Sequence, residues 1–174
     1  APTACNAAPD GGAPEISDEM FDRIVHYQRT LAVPARRNLD SAAVKTGARL
    51  FVETGCSACH RPELRTDGNA VLAELRNQTF HAFTDLLLHD MGPELADHRP
   101  DGEATGSEWR TPPLWGLGLQ HLVNGHTRLL HDGRARNASE AILWHGGEGA
   151  ASRDAYKALS KGDRDALIAF LDSL

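Results

Sequence analysis

Cys56, Cys59 and His60 fall in one five-residue run, and their types and spacing permit a defined chemistry. Two thiols three positions apart can close thioether bonds onto the two vinyl groups of one porphyrin, and the adjoining imidazole then reaches the iron from one face. Cys56-Ser57-Ala58-Cys59-His60 is therefore read as a C-x-x-C-H attachment site for one covalent haem c. With three Cys and nine His in 174 residues, chance yields such a run in roughly a few chains per thousand. Two other chemistries use the same thiols: a dithiol redox pair wants a βαβ setting, and a zinc site wants a second ligand pair at metal spacing. The chain holds no second C-x-x-C, and the flanks of the motif read as helical.

Iron held by His60 keeps a second axial position, whose occupant decides the reactivity. Methionine there raises the reduction potential, histidine gives a closed carrier at lower potential, and an open position admits peroxide. Met91 lies in the loop Met91-Gly92-Pro93, after the motif, where single-domain cytochromes place their ligand; its other role would be a gap-filling thioether. His145 shares a helix face with Ala141 and Ile142, and the following Gly146-Gly147 leave room for a porphyrin edge. Its other role would be a helix-terminal imidazole favoured by the local dipole. His81, His89, His98, His121, His126 and His131 stand in polar or turn-rich settings and are expected at the surface or in hydrogen bonds.

The elements that must position these groups are helical. Ser17 followed by Asp18 and Glu19 starts a helix to about Ala32, with Phe21, Ile24, Val25, Gln28 and Leu31 on one face, and Pro34 ends it. Ser41 to Thr54 is again helical, and Gly47 on its apolar stripe allows another helix to cross closely. The crossing partner is the terminal helix, where Ser160 and Asp163 form the start and Leu167, Phe170, Leu171 and Leu174 recur at helical spacing. Asn137 or Ser139 caps a helix to His145. The long middle is punctuated by Gly and Pro, with single helical turns at Val71–Arg76 and Thr84–His89, and wraps a cofactor better than it builds a sheet. An early helix before C-x-x-C-H that crosses a terminal helix resembles the cytochrome c superfamily. The fold class is therefore all-α: a class I cytochrome c-like domain over 16–174, with long irregular loops around one covalent haem.

Residues 1–15 are rich in Ala, Pro and Gly and read as a flexible N-terminal arm or linker; Cys5 within it is an odd thiol that suggests a partner elsewhere. Aromatics make up only 6% of the chain, thin for a core of this size, and a haem would add the missing apolar bulk. A net charge of −6 argues against nucleic acid and anionic membranes, and favours a redox partner with a basic docking face. No apolar run approaches the roughly eighteen residues of a membrane helix, so no membrane insertion is expected. Covalent haem attachment belongs outside the bacterial cytoplasm, so a processed, exported protein, periplasmic in a bacterium, is expected.

Five further runs, Leu31–Arg37, Phe83–Gly92, Glu108–Gly116, Leu130–Ala135 and Glu140–Glu148, occur in an order that resembles the C-terminal half of the di-haem oxidoreductase family, also called thiol oxidoreductase-like. That family is related to bacterial di-haem cytochrome c peroxidase and to MauG. In the peroxidases a threonine-proline segment, a histidine-aspartate-glycine turn and a short helix precede a methionine that ligates the C-terminal haem. Here the matching helix carries His145 at that place, so the resemblance puts His145 ahead of Met91 and implies bis-His ligation. Family members carry two C-x-x-C-H motifs and this chain one, which implies a second haem domain as partner. The structural calcium of the related peroxidases has no clear ligand set here.

Two functions follow. The first is an electron-transfer domain with both iron positions filled, in which Arg110, Arg134 and Trp115 serve the haem propionates and packing. The second is a peroxidase-like enzyme, or enzyme half, with a displaceable distal ligand and His145 or Glu148 as the acid/base group. The division of labour between two haems in the relatives favours the carrier.

Overall fold

The computed structural model describes residues 3–174, which divide into two compact units between Val33 and Pro34. In the first, α1 (Thr3–Asn6) is a single turn within the stretch read as an arm, and α2 spans Asp18–Thr30. Ser17 caps α2, its Oγ accepting the Met20 N–H at 3.3 Å, while Asp18 and Glu19 sit favourably against the helix dipole. No residue of α2 is buried; Phe21, Ile24 and Tyr27 are exposed. The partner expected for the Cys5 thiol concerns a side chain outside the described residues.

The second unit is built on α3 (Ala42–Glu53) crossed by α7 (Lys161–Leu171). Between them in sequence come short α4 (Gln120–Asn124), α5 (Ala138–Trp144) and α6 (Ala150–Ala158). Two antiparallel ladders join β1 (Leu64–Arg65) to β2 (Thr79–Phe80), and β3 (Leu88–Asp90) to β4 (Glu108–Arg110), with His89 opposite Trp109. The chain is thus mostly helical, with two small ladders that an all-α reading does not contain. The helical turn expected at Thr84–His89 is instead a loop leading into β3, because Phe83 and Leu86 take positive φ (55° and 62°), which interrupts any helix. The turn expected at Val71–Arg76 is a 3₁₀ turn at Ala73–Leu75.

The core lies along the α3–α7 crossing. Val44, Leu50 and Phe51 from α3 meet Ala166, Leu167, Phe170 and Leu171 from α7, joined by Phe83 and Tyr156. Phe51, Phe83 and Phe170 form a triangle with ring centroids 5.2–5.9 Å apart. Arg36 lies over two of these rings, its guanidinium carbon 5.2 Å from the centre of Phe170 and 5.8 Å from that of Phe83.

Gly47 is where the two helices touch. A Cβ there would collide with the Ala166 carbonyl oxygen and lie 2.6 Å from Phe170 Cβ. Backbone cannot yield as a flexible side-chain end can, so Gly47→Ala should cost about 3 kcal/mol or more by forcing the helices apart. Urea unfolding of the two proteins side by side tests this; a loss below about 1 kcal/mol would mean that the crossing is looser than described.

Candidate functional site

The C-x-x-C-H run begins where α3 stops. Thr54 closes the helix, its Oγ1 donating to the Leu50 carbonyl at 2.7 Å, and Gly55 takes the left-handed conformation (φ 84°) that turns the chain away. Cys56–Ala58 then form a 3₁₀ turn, and the His60 N–H donates to the Cys56 carbonyl at 3.0 Å. Cys56, partly buried, has its Sγ 3.4 Å from Thr54 Oγ1. Burial raises the pKa of both thiols, and Asp85 and Glu148 raise that of Cys59 further. Thiols held protonated in this way are poor nucleophiles, which argues against a reactive dithiol pair.

The ring of His60 is fixed through Phe83. His60 Nδ1 lies 3.0 Å from the Phe83 carbonyl, an acceptor only, so the proton sits on Nδ1 and Nε2 keeps its lone pair. Phe83 presents that carbonyl from a positive φ, a cost of about 1–3 kcal/mol for a bulky residue. Its surroundings hold it there. The Thr84 N–H donates to the Arg61 carbonyl at 3.1 Å, the buried Thr84 Oγ1 donates to the Thr111 carbonyl at 2.7 Å, and the Leu114 N–H donates to the Ala82 carbonyl at 2.9 Å.

His145 arrives from the other side of the sequence. Asn137 caps α5 by accepting the Glu140 N–H at 2.9 Å, and His145 stands at the helix's C-terminal end. Its Nδ1 donates to the Ala141 carbonyl at 2.7 Å, which again leaves Nε2 as the free ligand atom. The rings of His60 and His145 are 6.5 Å apart, centre to centre, tilted by 50°. Two imidazoles set on opposite sides of one metal at about 2.0–2.1 Å per bond would place their centres about 6.3 Å apart. The donor set of two free Nε2 atoms beside two thiols therefore fits an iron porphyrin.

Met91 is close by. Its Cε and the His145 ring both pack on Gly149, at 3.4 and 3.2 Å from where a Cβ would sit. Gly146 and Gly147, expected to leave room for a porphyrin edge, lie against the backbone of the Met91 loop. A Cβ on Gly146 would lie 2.7 Å from the Met91 carbonyl oxygen and one on Gly147 would strike that of Asp90, so the two glycines admit the backbone of the Met91 loop instead. Arg134 pairs with Asp132 at 2.6 Å, donates to the Glu94 carbonyl and lies 4.8 Å over Trp144, the residue before His145. Arg110 is exposed at the end of β4, and Trp115 tilts against Phe80 at 6.0 Å. The structure thus unites Cys56, Cys59, His60 and His145, and gives Arg134 other partners.

His89, expected at the surface or in hydrogen bonds, is one of the hydrogen-bonded histidines, but sequence reasoning does not find its partners. The side chain is 16% exposed, and its Nε2 lies 2.9 Å from Asp85 Oδ2 and its Nδ1 2.8 Å from Glu148 Oε2. Cys59, Asp85 and His89 bring ligand-type atoms within 4.8 Å of one another, but both His89 nitrogens are spent on carboxylates, which leaves no lone pair for a cation. No local signal marks this group, because Glu148 lies 59 residues from His89.

A model of the family described as "Di-haem oxidoreductase, putative peroxidase" matches residues 4–174. The chain belongs to the di-haem oxidoreductase family. As a member it is a haem-binding oxidoreductase domain. A chain of Kuenenia stuttgartiensis hydrazine synthase, solved under 20 bar of xenon, has a similar fold, with a TM-score of 0.55 and 20% identity over 91% of this chain. The similar part is 56% of that longer chain, so the protein described here spans little more than half its length. A search of the curated proteins finds no match.

Burial pushes the His60 pKa down to about 4, against the upward pull of the Phe83 carbonyl, and burial lowers that of His145 as well. Both rings are neutral at pH 7, the state in which imidazole binds a metal. As pH falls below the ordinary value of 6.5, the unfolded chain binds protons that the folded chain refuses, so haem-free protein should lose stability steadily down to about pH 4. His89 acts in a different window: its pKa is raised by Glu148 and Asp85, so its contribution is complete below 6.5 and is lost as pH rises through the folded value. Thermal melts of the haem-free chain should show the acid-side decline, reduced in His60→Gln; an equal decline in both would exclude a buried neutral His60.

Proposed function

We propose that the chain is a monohaem c-type cytochrome domain that carries electrons through a six-coordinate, bis-His haem. The reading rests on one observation, the 6.5 Å separation of two imidazoles whose Nδ1 protons are both given to backbone carbonyls. When bound, the haem supplies a one-electron iron couple. Cys56 and Cys59 would attach it, and His60 and His145 would hold the iron from opposite faces. The carbonyls of Phe83 and Ala141 keep each ring in its tautomer and orientation, which limits the rearrangement that accompanies a change of oxidation state. On this reading 16–174 holds the cytochrome c-like domain, with its site within the unit Pro34–Leu174, and Trp115 belongs to the haem rim. Residues committed elsewhere, Arg134 above all, are not assigned to the propionates.

The partner is a second haem domain or a redox protein, as the family's two haems suggest, and the location is outside the cytoplasm, where haem c is made. The peroxidase-type alternative requires a displaceable ligand and a free acid/base group. Glu148, the nearest carboxylate in sequence to His145, is paired with His89 and with the Asp90 N–H, which supports the carrier. The ferric absorption spectrum tests the proposal. A low-spin spectrum unchanged by azide or by stoichiometric peroxide is expected; a high-spin band, or a change on adding peroxide, would support the enzyme instead.

A further inference from the structure

His89 stands in β3 between the segments that carry the two axial candidates. Towards His60, its Nε2 donates to Asp85, whose side chain is 7% exposed and also accepts the Leu87 N–H at 2.9 Å. Asp85 is two residues past Phe83, so it belongs to the same loop that presents the carbonyl to His60. Towards His145, His89 Nδ1 donates to Glu148, whose other oxygen accepts the Asp90 N–H at 3.0 Å. Glu148 lies in the 3₁₀ turn Gly147–Gly149 that directly follows His145. Cys59 Sγ is 3.8 Å from the same Nδ1. Ionised carboxylates accept and never donate, so a ring bonded to one at each nitrogen carries both protons and the bonds are charge-assisted.

We infer that Asp85, His89 and Glu148 form a clamp that holds the turn after His145 against the Phe83 loop that anchors His60 and so keeps the sixth iron position closed. The inference rests on the bis-His reading above and adds what maintains it. His89 and Glu148 are positioning residues: they act on the iron through the spacing of the two ligands. The two carboxylates repel each other once the imidazolium between them is removed, and the exposed arm, Glu148, is the one free to move. Opening would then begin at the turn after His145, while the buried Asp85 arm stays with the Phe83 loop.

The test uses the haem-loaded protein and four chains: wild type, Glu148→Ala, Glu148→Gln and His145→Ala. Glu148 is 55% exposed, so its truncation opens no core. Glu148→Ala should gain a high-spin fraction and bind azide at least about tenfold more tightly, the increase expected if the open population grows by that factor. Glu148→Gln keeps one acceptor oxygen for His89 but loses the charge and turns a donor towards the Asp90 N–H, so it should fall between wild type and Glu148→Ala. A role in stability alone would lower the melting temperature and leave azide affinity and spin state where they were. If Glu148→Ala stays low-spin and refuses azide while His145→Ala accepts it, the clamp is wrong and the bis-His reading stands. If the wild type itself accepts azide, both fall.

Discussion

Replacing His145 with alanine should convert the ferric haem from low-spin to high-spin and let azide bind. The ring's Nδ1 is anchored to the Ala141 carbonyl and its centre sits 6.5 Å from that of His60. If the closed form holds more than about 99% of the wild-type population, removal of the ligand raises azide affinity by about 100-fold or more. Met91→Ala is the control. Met91 packs its methyl group on Gly149 beside His145, so truncation should leave a small cavity and a low-spin spectrum. If Met91→Ala alone opens the iron, the ligand assignment is wrong. Magnetic circular dichroism or electron paramagnetic resonance of the two variants reads the outcome directly.

The second large effect concerns attachment. With Cys56 and Cys59 both replaced by alanine, no thioether can form, and haem held only by two imidazoles should leave completely when the chain is denatured. Wild-type protein should keep its colour on a denaturing gel and show the mass of chain plus one haem. The native double variant should also unfold at lower temperature, because haem dissociates with unfolding once the covalent tie is gone. Single replacements should retain one link and an intermediate yield. Wild-type material whose mass equals the bare polypeptide would overturn the c-type assignment.

The helices that frame the site were legible because their signals are local. Ser17, Asn137 and Ser160 each cap the helix they announce, and all three accept the expected backbone N–H. Gly47 announced a close crossing, and the crossing with α7 is where a Cβ would collide. The site's middle wall was not legible. Thr84–His89 reads as a helical turn, yet Leu86, and Phe83 just before it, stand at positive φ where contacts from Arg61, Thr111 and Leu114 hold the loop. Strands β3 and β4 are three residues each, too short for periodicity to register, and helix α6 has too few apolar positions to separate it from a loop.

The sequence by itself pointed to the attachment chemistry proposed here, since two thiols and an imidazole in one five-residue run need no fold to be in reach of one porphyrin. It also narrowed the distal ligand to Met91 or His145 and determined the packed pair of helices beneath the motif. Only the tertiary structure decided how far apart the two imidazoles stand, which carbonyl takes each Nδ1 proton, and that His89 joins Asp85 to Glu148. Apart from the Ala141 carbonyl and Asp85, each four residues from its histidine, these depend on groups 23 to 85 residues apart, whose distances are set by how α3, α5, α7 and the Phe83 loop pack together. Chain spacing carries no information about such distances, because the intervening turns can close in many ways until the core selects one.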